Sequence, residues 1–422
     1  MENNKTFDIE NINCDDYTQV DFLEYRGDDL FEGAELFDKF LQDAIARGYM
    51  LYGMPVCSSP GPEFQIYNPY EKKSFKFLNF CSYNYLGYST NPVIKEAVKD
   101  AIDKYGTGAV SAPMLSGYYD VTSQLESSIA EFKGKTGAVV FPTGYGTNLG
   151  VISAMLKLGD VAVLDILSHA SIYDGARLSG ADIKVFSHNN AKHLDKVLSG
   201  LKDKRVLVCV EGVYSMDGDL ANLPKIVEVC KKHNVKILLD EAHSTLIFGE
   251  KGRGVAEHFN VENDIDITIG TFSKAFGAIG GYAVGEQKLM TFIKMCARSY
   301  IFSCGMAPHT SAGILKVLEC YQTDKTTRTK LFENSKYIKD RLLAAGLNIG
   351  ETESHVVPVI VGDDIKLREV SKRVFERGLY TGIVTFPAVS SKRTRLRLSI
   401  SSEHTKEHLD RCVDILTEVI NP

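Results

Sequence analysis

The strongest constraint on the fold is a series of short β-rich runs, most of them continuously apolar. They are AVVF (138–141), VAVL (161–164), IKVF (183–186), VLVCV (206–210), KILL (236–239), IDITIG (265–270) and GYAV (281–284). A strand with one wet face alternates apolar and polar residues, whereas a continuous run needs cover on both faces. Helical stretches such as NLPKIVEVCKKHN (222–234) separate the runs. The pattern predicts an α/β fold with a large, mostly parallel sheet and helices on both faces. We therefore expect an N-terminal arm over 1–75, a large α/β domain over 76–310 and a smaller C-terminal α+β domain over 311–422. A helical crossover around 311–348 leads into the last unit. Its strands are VPVIV (357–361), LYTGIVT (379–385) and RLRLSIS (395–401), and it closes with a helix over 405–420. In the arm, Leu36, Phe37, Phe40, Leu41 and Ile45 recur at helical spacing, and Gly48 is the expected stop.

Composition excludes several classes. Hydrophobic residues make up 44% of 422 residues, enough for a large core, so a disordered chain is excluded. Forty-eight basic against 54 acidic side chains give a net charge of −6, which argues against a nucleic-acid partner. No apolar run approaches the roughly 18–20 residues that span a bilayer. The polar, acidic opening MENNKTFDIENINCDDYTQVDF lacks the charge and apolar order of a signal peptide. The nine cysteines are scattered without a CxxC pair, which reads as reduced thiols and no zinc site. The expectation is a cytoplasmic protein with no metal. GTG at 106–108 does not extend to a dinucleotide fingerprint, because Ser stands at 111, and there is no phosphate-binding P-loop motif.

Four segments carry chemistry. LLDEAHS (238–244) delivers Asp240 and His243 at the end of a buried strand, the edge where open α/β sheets bind ligands. TIGTFSKAFGAIGG (268–281) places Lys274 in a tight, small-residue setting, where a lysine can lose its proton and act as an amine nucleophile. FPTGYGTN (141–148) follows a strand and opens a helix, so its backbone N–H groups suit phosphate. LSHASIYDG (167–175) puts His169 just after another strand. Each alone is also what an ordinary strand end or surface loop looks like. Together they supply an amine, a carboxylate, an aromatic stacker and a phosphate cradle. That is the set pyridoxal 5'-phosphate (PLP) needs.

At these residues the chain resembles the α-oxoamine synthases, a family of fold-type I PLP-dependent transferases. The matching segments are NYLG (84–87), SHASIYDG (168–175), EGVYSMDGD (211–219), DEAHS (240–244), GRG (252–254), GTFSK (270–274) and LRLSISSEHT (396–405). With YIFS (300–303), they are most similar to bacterial serine palmitoyltransferases. The resemblance implies a Schiff base between Lys274 and PLP, Asp240 at the pyridinium nitrogen and His169 stacked on the ring. It implies His243 and Ser215 at the ring hydroxyl oxygen, and Gly144, Tyr145 and Thr271 at the phosphate. Ser303 would reach the partner's phosphate in a homodimer with interface active sites. Asn84, Tyr85 and Arg397 would meet substrate, Arg397 taking a carboxylate. The implied reaction condenses an amino acid, serine first, with a long-chain acyl-CoA or acyl-carrier-protein thioester, releasing CO2. Membrane contact would be peripheral at most. An amino-ketone signal or secondary-metabolite synthase, a 2-amino-3-ketobutyrate CoA ligase, an aminotransferase and a silent partner subunit are the competing readings.

The chain departs from the family at the substrate end. Ser111, Ala112 and Pro113 replace a usual Gly-Ser/Thr-Arg, and YYDVTSQLE (118–126) lacks a usual histidine. Leu246 stands where Gly is usual, and Thr385 where serine palmitoyltransferases carry a second arginine. Lys392, Arg393 and Arg395 are the nearby cations that could stand in for it.

Overall fold

The computed structural model describes residue 8, residues 11–324 and residues 326–421. The opening stretch read above falls in part on residues 1–7, 9 and 10, outside the described set. In chain order the strands are β1 (Glu63–Asn68), β2 (Lys73–Phe80), β3 (Gly137–Phe141), β4 (Val161–Asp165), β5 (Asp182–Phe186) and β6 (Val206–Glu211). They continue with β7 (Lys236–Asp240), β8 (Ile267–Thr271), β9 (Gly281–Gly285), β10 (Val356–Ile360), β11 (Leu379–Val384) and β12 (Arg395–Ser399).

All seven runs of the expected large sheet are strands of one sheet, ordered β3-β9-β8-β7-β6-β4-β5. Strands β4 to β8 run parallel, and β9 lies antiparallel between β8 and β3. The continuous apolar runs are explained by burial on both sides. Val163, Val208 and Leu239 pack into one hydrophobic cluster, while their neighbours Leu164, Cys209 and Leu238 pack into another. Each such aliphatic side chain contributes about 1.5–3 kcal/mol on burial. Strands β4, β6, β7 and β8 end at Asp165, Glu211, Asp240 and Thr271, so parallel pairing brings four polar residues to one sheet edge.

The second sheet has the order β1-β2-β11-β12-β10 and corrects the expected boundaries. The hairpin β1–β2 belongs to this sheet, with β2 parallel to β11 through Leu78 opposite Leu379. The boundary expected at 75/76 therefore runs through β2. The cause is non-local pairing, because β2 finds its partner only after the whole large domain has been laid down. The helix Pro308–Thr323 packs on the helices Pro92–Tyr105 and Asp120–Phe132, so the boundary expected at 310/311 also cuts into the large domain.

The arm helix spans Glu32–Ala46, and Gly48 follows with φ +74, a left-handed position that suits glycine. Phe37 and Phe40 of this helix pack with Tyr17, Phe22 and Leu36. The arm is tied to the second sheet's elements. Lys372 Nζ donates to the Arg47 carbonyl at 2.8 Å, and the Tyr380 hydroxyl donates to the Leu51 carbonyl at 3.2 Å. Among the described residues no helix is long and apolar enough to cross a membrane.

Candidate active site

The helix Gly144–Met155 begins three residues after β3. Thr143 caps it, accepting the Gly146 amide on its side chain at 2.9 Å, and the Thr143 carbonyl takes the Thr147 amide. The remaining first-turn amides are those of Gly144 and Tyr145, and helix geometry gives such amides no intrahelical partner. A Cβ on Gly144 would stand 2.8 Å from Thr271 Oγ1, so only glycine lets the helix start approach β8 this closely. The result is a cradle of backbone N–H groups beside the Thr271 and Ser273 hydroxyls, which lie 2.6 Å apart. Helix dipole and donors together suit a phosphate.

Asp240 is buried at the end of β7, where its oxygens accept from Asn148 Nδ2 at 2.8 Å and the Ala242 amide at 2.9 Å. Asn148 Nδ2 also donates to Ser171 Oγ at 3.0 Å. Ser171 in turn lies 2.7 Å from His169 Nδ1, which also accepts the Ser171 amide at 3.3 Å. Nδ1 is thereby an acceptor, and the neutral imidazole carries its proton on Nε2. A continuous chain of contacts thus orients both Asp240 and His169. Desolvation lowers the His169 pKa, against the opposing pull of Asp240. Glu211, beside Asp240 in register, accepts the His169 amide at 2.5 Å. Burial and then the Asp240 charge push its carboxyl up to about 8.

Lys274 lies in the turn after β8, half-buried. Burial lowers its pKa to about 8, with Asp240 and Glu211 opposing and Arg397 assisting. An amine so shifted is a ready nucleophile near neutral pH. Its Nζ stands 5.8 Å from the Tyr83 ring centroid. Arg397, on β12, lies over the same ring at 5.3 Å, hydrogen-bonds the Tyr83 hydroxyl and donates to the Ser215 carbonyl at 3.1 Å. This guanidinium acts electrostatically on the amine, and its planar fork suits a carboxylate.

The structure brings Lys274, Asp240, His169, Gly144, Tyr145, Thr271, His243 and Arg397 to the sheet edge by these bonds and charge interactions. His243 is buried, with Nδ1 3.0 Å from the Tyr85 hydroxyl, and burial followed by Lys274 drives its pKa well down. The expectation for NYLG shifts. Tyr85 is fully buried behind His243, and the aromatic beside Lys274 and Arg397 is Tyr83. Asn84 is spent on structure, donating to Glu403 at 3.2 Å and accepting the Ser89 amide at 3.2 Å. Neither Arg393 nor Arg395 is a free substitute for the missing arginine, because both bind Asp217, at 2.5 and 2.8 Å. Lys392 is exposed. Ser303 follows the short helix Arg298–Ile301, whose Ser299 hydroxyl donates to the Gly146 carbonyl at 2.5 Å. The divergent loop reaches the same segment through Ser111, whose carbonyl accepts the Gly305 amide at 2.9 Å. Leu246 adopts φ +69, the left-handed region that explains why glycine suits this position. Sequence reasoning missed Tyr83, Asn148 and Glu211. Tyr83 precedes NYLG by one residue, Asn148 ends FPTGYGTN and Glu211 opens EGVYSMDGD, so their signal was proximity to a motif.

A nucleophilic amine, a carboxylate with two donors, a poised imidazole and a phosphate cradle at one parallel-sheet edge define the class: a PLP-dependent transferase of fold type I. A family model described as aminotransferase class I and II matches residues 76–416, and the chain belongs to that family. Within it the chain is an α-oxoamine synthase, a PLP-dependent C-acyltransferase. It is 39% identical to the 8-amino-7-oxononanoate synthase of Treponema denticola over 82% of this chain and 88% of the relative. It is 34% identical to the 4-hydroxy-2,2'-bipyrrole-5-methanol synthase PigH of Serratia over 95% of this chain and 62% of that protein. The solved serine palmitoyltransferase of Sphingomonas wittichii superposes with a TM-score of 0.88 at 34% identity, covering 93% of this chain and 98% of that one.

Proposed function

We propose that this enzyme joins an amino acid, L-serine first, to a long-chain acyl-CoA thioester, giving an α-amino ketone, CO2 and CoA. The reading rests on one observation above the others. Arg397, held by Tyr83 and the Ser215 carbonyl, presents a carboxylate-binding fork next to the amine of Lys274. Likeness to serine palmitoyltransferase over 93% of the chain supports serine and a fatty acyl donor.

PLP, when bound, supplies the electron sink for the pair left at the amino-acid Cα. The residues do the rest. Gly144, Tyr145 and Thr271 hold the phosphate, and Ser303 adds to the partner subunit's cradle across a homodimer interface. Asp240, oriented by its two donors, would hold a proton at the ring nitrogen. His169 would stack on the ring, with its tautomer set by Ser171. His243 and Ser215 hold the ring hydroxyl oxygen. Arg397 fixes the amino-acid carboxylate so that the Cα–H bond points at Lys274. The Lys274 amine takes that proton and later returns one to carbon. Burial suits it to the task, since lowering the pKa to about 8 raises the share of neutral amine near neutral pH. In this reading the enzyme works in the cytoplasm, and contact with lipid is peripheral.

A second reading keeps the chemistry and changes the substrates. Pro113 and Thr385 stand where relatives carry arginines, and the identities to 8-amino-7-oxononanoate synthases and PigH are as high as those to serine palmitoyltransferases. In that case another amino acid, or a carrier-protein thioester, is used. An amino-acid panel separates the two, read as the change in the cofactor's visible absorbance and as thiol release with an acyl thioester. Serine giving the tightest change and thiol release supports the first reading. A response confined to another amino acid overturns it, and keto-acid formation without thiol overturns acyl transfer.

A further inference from the structure

A cavity of about 530 Å³ lies between the arm and the second sheet. That volume falls within the roughly 300–1,000 Å³ of pockets that enclose small ligands. Phe37, Phe40, Leu41 and Ala44 of the arm helix form one wall, and Ile383 and Phe386 on and after β11 form another. Arg397 and Met216 also line it. Arg397 therefore belongs both to this cavity and to the site around Lys274. Thr385, the position where an arginine is usual, lines the cavity as well, so the wall there carries no charge. The arm wall lies outside the 76–416 family match.

The lining is mostly apolar, with one polar stripe. Asp364, Arg368 and Ser371 follow one another at helical spacing on the helix Asp364–Glu376. Asp364 Oδ1, Arg368 Nη1 and Ser371 Oγ are buried without a hydrogen-bond partner, and Ser371 as a whole is only 4% exposed. Buried polar atoms left unpaired cost about 1–3 kcal/mol each, which a plain alkyl chain would not relieve. Charge is already supplied around the stripe. Asp15 lies 3.6 Å from Arg368 Nη1 and also pairs with Arg47, which pairs in turn with Asp43. Counting Asp364 and the lining Arg397, three carboxylates meet three guanidiniums, so the charges already balance. A carboxylate on the ligand would add a fourth negative charge, whereas a hydroxyl or amide can both donate and accept.

We propose that this cavity receives the acyl chain of the thioester and selects a chain bearing an uncharged hydrogen-bonding group, a hydroxyl or amide, beyond its apolar stretch. The inference rests on the acyl-transfer reading above, and it narrows the donor to a functionalised acyl thioester. Ser371 and Arg368 are its specificity-determining contacts, and Ala44 limits the room for the chain.

The test uses the PLP-loaded enzyme with CoA thioesters of one chain length: unsubstituted, ω-hydroxy, ω-amide and ω-carboxy. Thiol release gives kcat/KM, and calorimetry with unreactive thioether analogues gives affinity. The ω-hydroxy or ω-amide chain should exceed the unsubstituted one by about 3- to 10-fold, the worth of one good hydrogen bond. Ser371→Ala should abolish most of that ratio. Ala44→Phe should weaken every analogue while leaving the amino-acid-induced absorbance change intact. Should the phenylalanine variant fail to fold, the Ser371→Ala ratio decides alone. The proposal is overturned if the unsubstituted or ω-carboxy chain binds best, or if the Ser371→Ala ratio matches wild type while thiol is still released. Failure of every thioester to release thiol would instead strike at the acyl-transfer reading.

Discussion

His355 offers a sharp test of how this core handles charge. It is 1% exposed, its ring meets Tyr85 edge-on at 4.1 Å, and neither ring nitrogen has a hydrogen-bond partner. Burial, with Lys274 and Lys339 adding to it, lowers its pKa to about 3. A histidine whose folded pKa lies below its unfolded value of about 6.5 binds fewer protons in the native state, so stability falls as pH drops below 6.5. At pH 5 the unfolded imidazole is almost fully charged while the folded one stays neutral. Linkage then sets the loss relative to neutral pH at about 2 kcal/mol, from 1.4 kcal/mol per unit over the 1.5 units between pH 5 and 6.5. His355→Phe keeps the ring against Tyr85 and Phe248 and removes the titration. Urea unfolding of the holoenzyme at pH 7.5 and pH 5.0 measures the effect. The variant should lose about 2 kcal/mol less than wild type between the two conditions. At pH 7.5 it should be no less stable, because two unpaired buried nitrogens have gone. Equal losses for both proteins would mean that His355 is protonated as easily folded as unfolded, and the burial argument would fail.

Two further substitutions test the site's backbone logic. Gly144→Ala would drive a Cβ to 2.8 Å from Thr271 Oγ1, so PLP affinity of the apoenzyme, read by absorbance titration, should fall about tenfold or more, the worth of one charge-assisted hydrogen bond; unchanged affinity would remove the cradle from the phosphate. Leu246 is fully buried at φ +69, where a Cβ costs roughly 1–2 kcal/mol and glycine pays nothing. Leu246→Gly should therefore destabilise the protein by about 1 kcal/mol less than Leu246→Ala, although it removes one more carbon; the opposite order in urea midpoints would show that the backbone shifts out of the left-handed region.

Much of this enzyme could be read from the chain alone. Continuous apolar runs determine strands covered on both faces, because a residue such as Leu238 and its neighbour Leu239 must each enter a separate core. Parallel pairing then brings the strand ends together, so Asp240, His169 and Lys274 were legible as one site from motifs lying just past those strands. Three-dimensional pairing decided the rest. The hairpin β1–β2 joins β11 across the whole large domain, and no local pattern at 63–80 encodes that choice. The same holds at the substrate end. Tyr83 rather than Tyr85 lies beside the amine because Tyr85 is buried against His243 and His355, and Asp217 claims Arg393 and Arg395 from a loop far off in sequence. Sequence determines what lies within one element's period and reach. Which cation is left free, and which cavity it opens onto, depends on side chains that meet only after both sheets have closed.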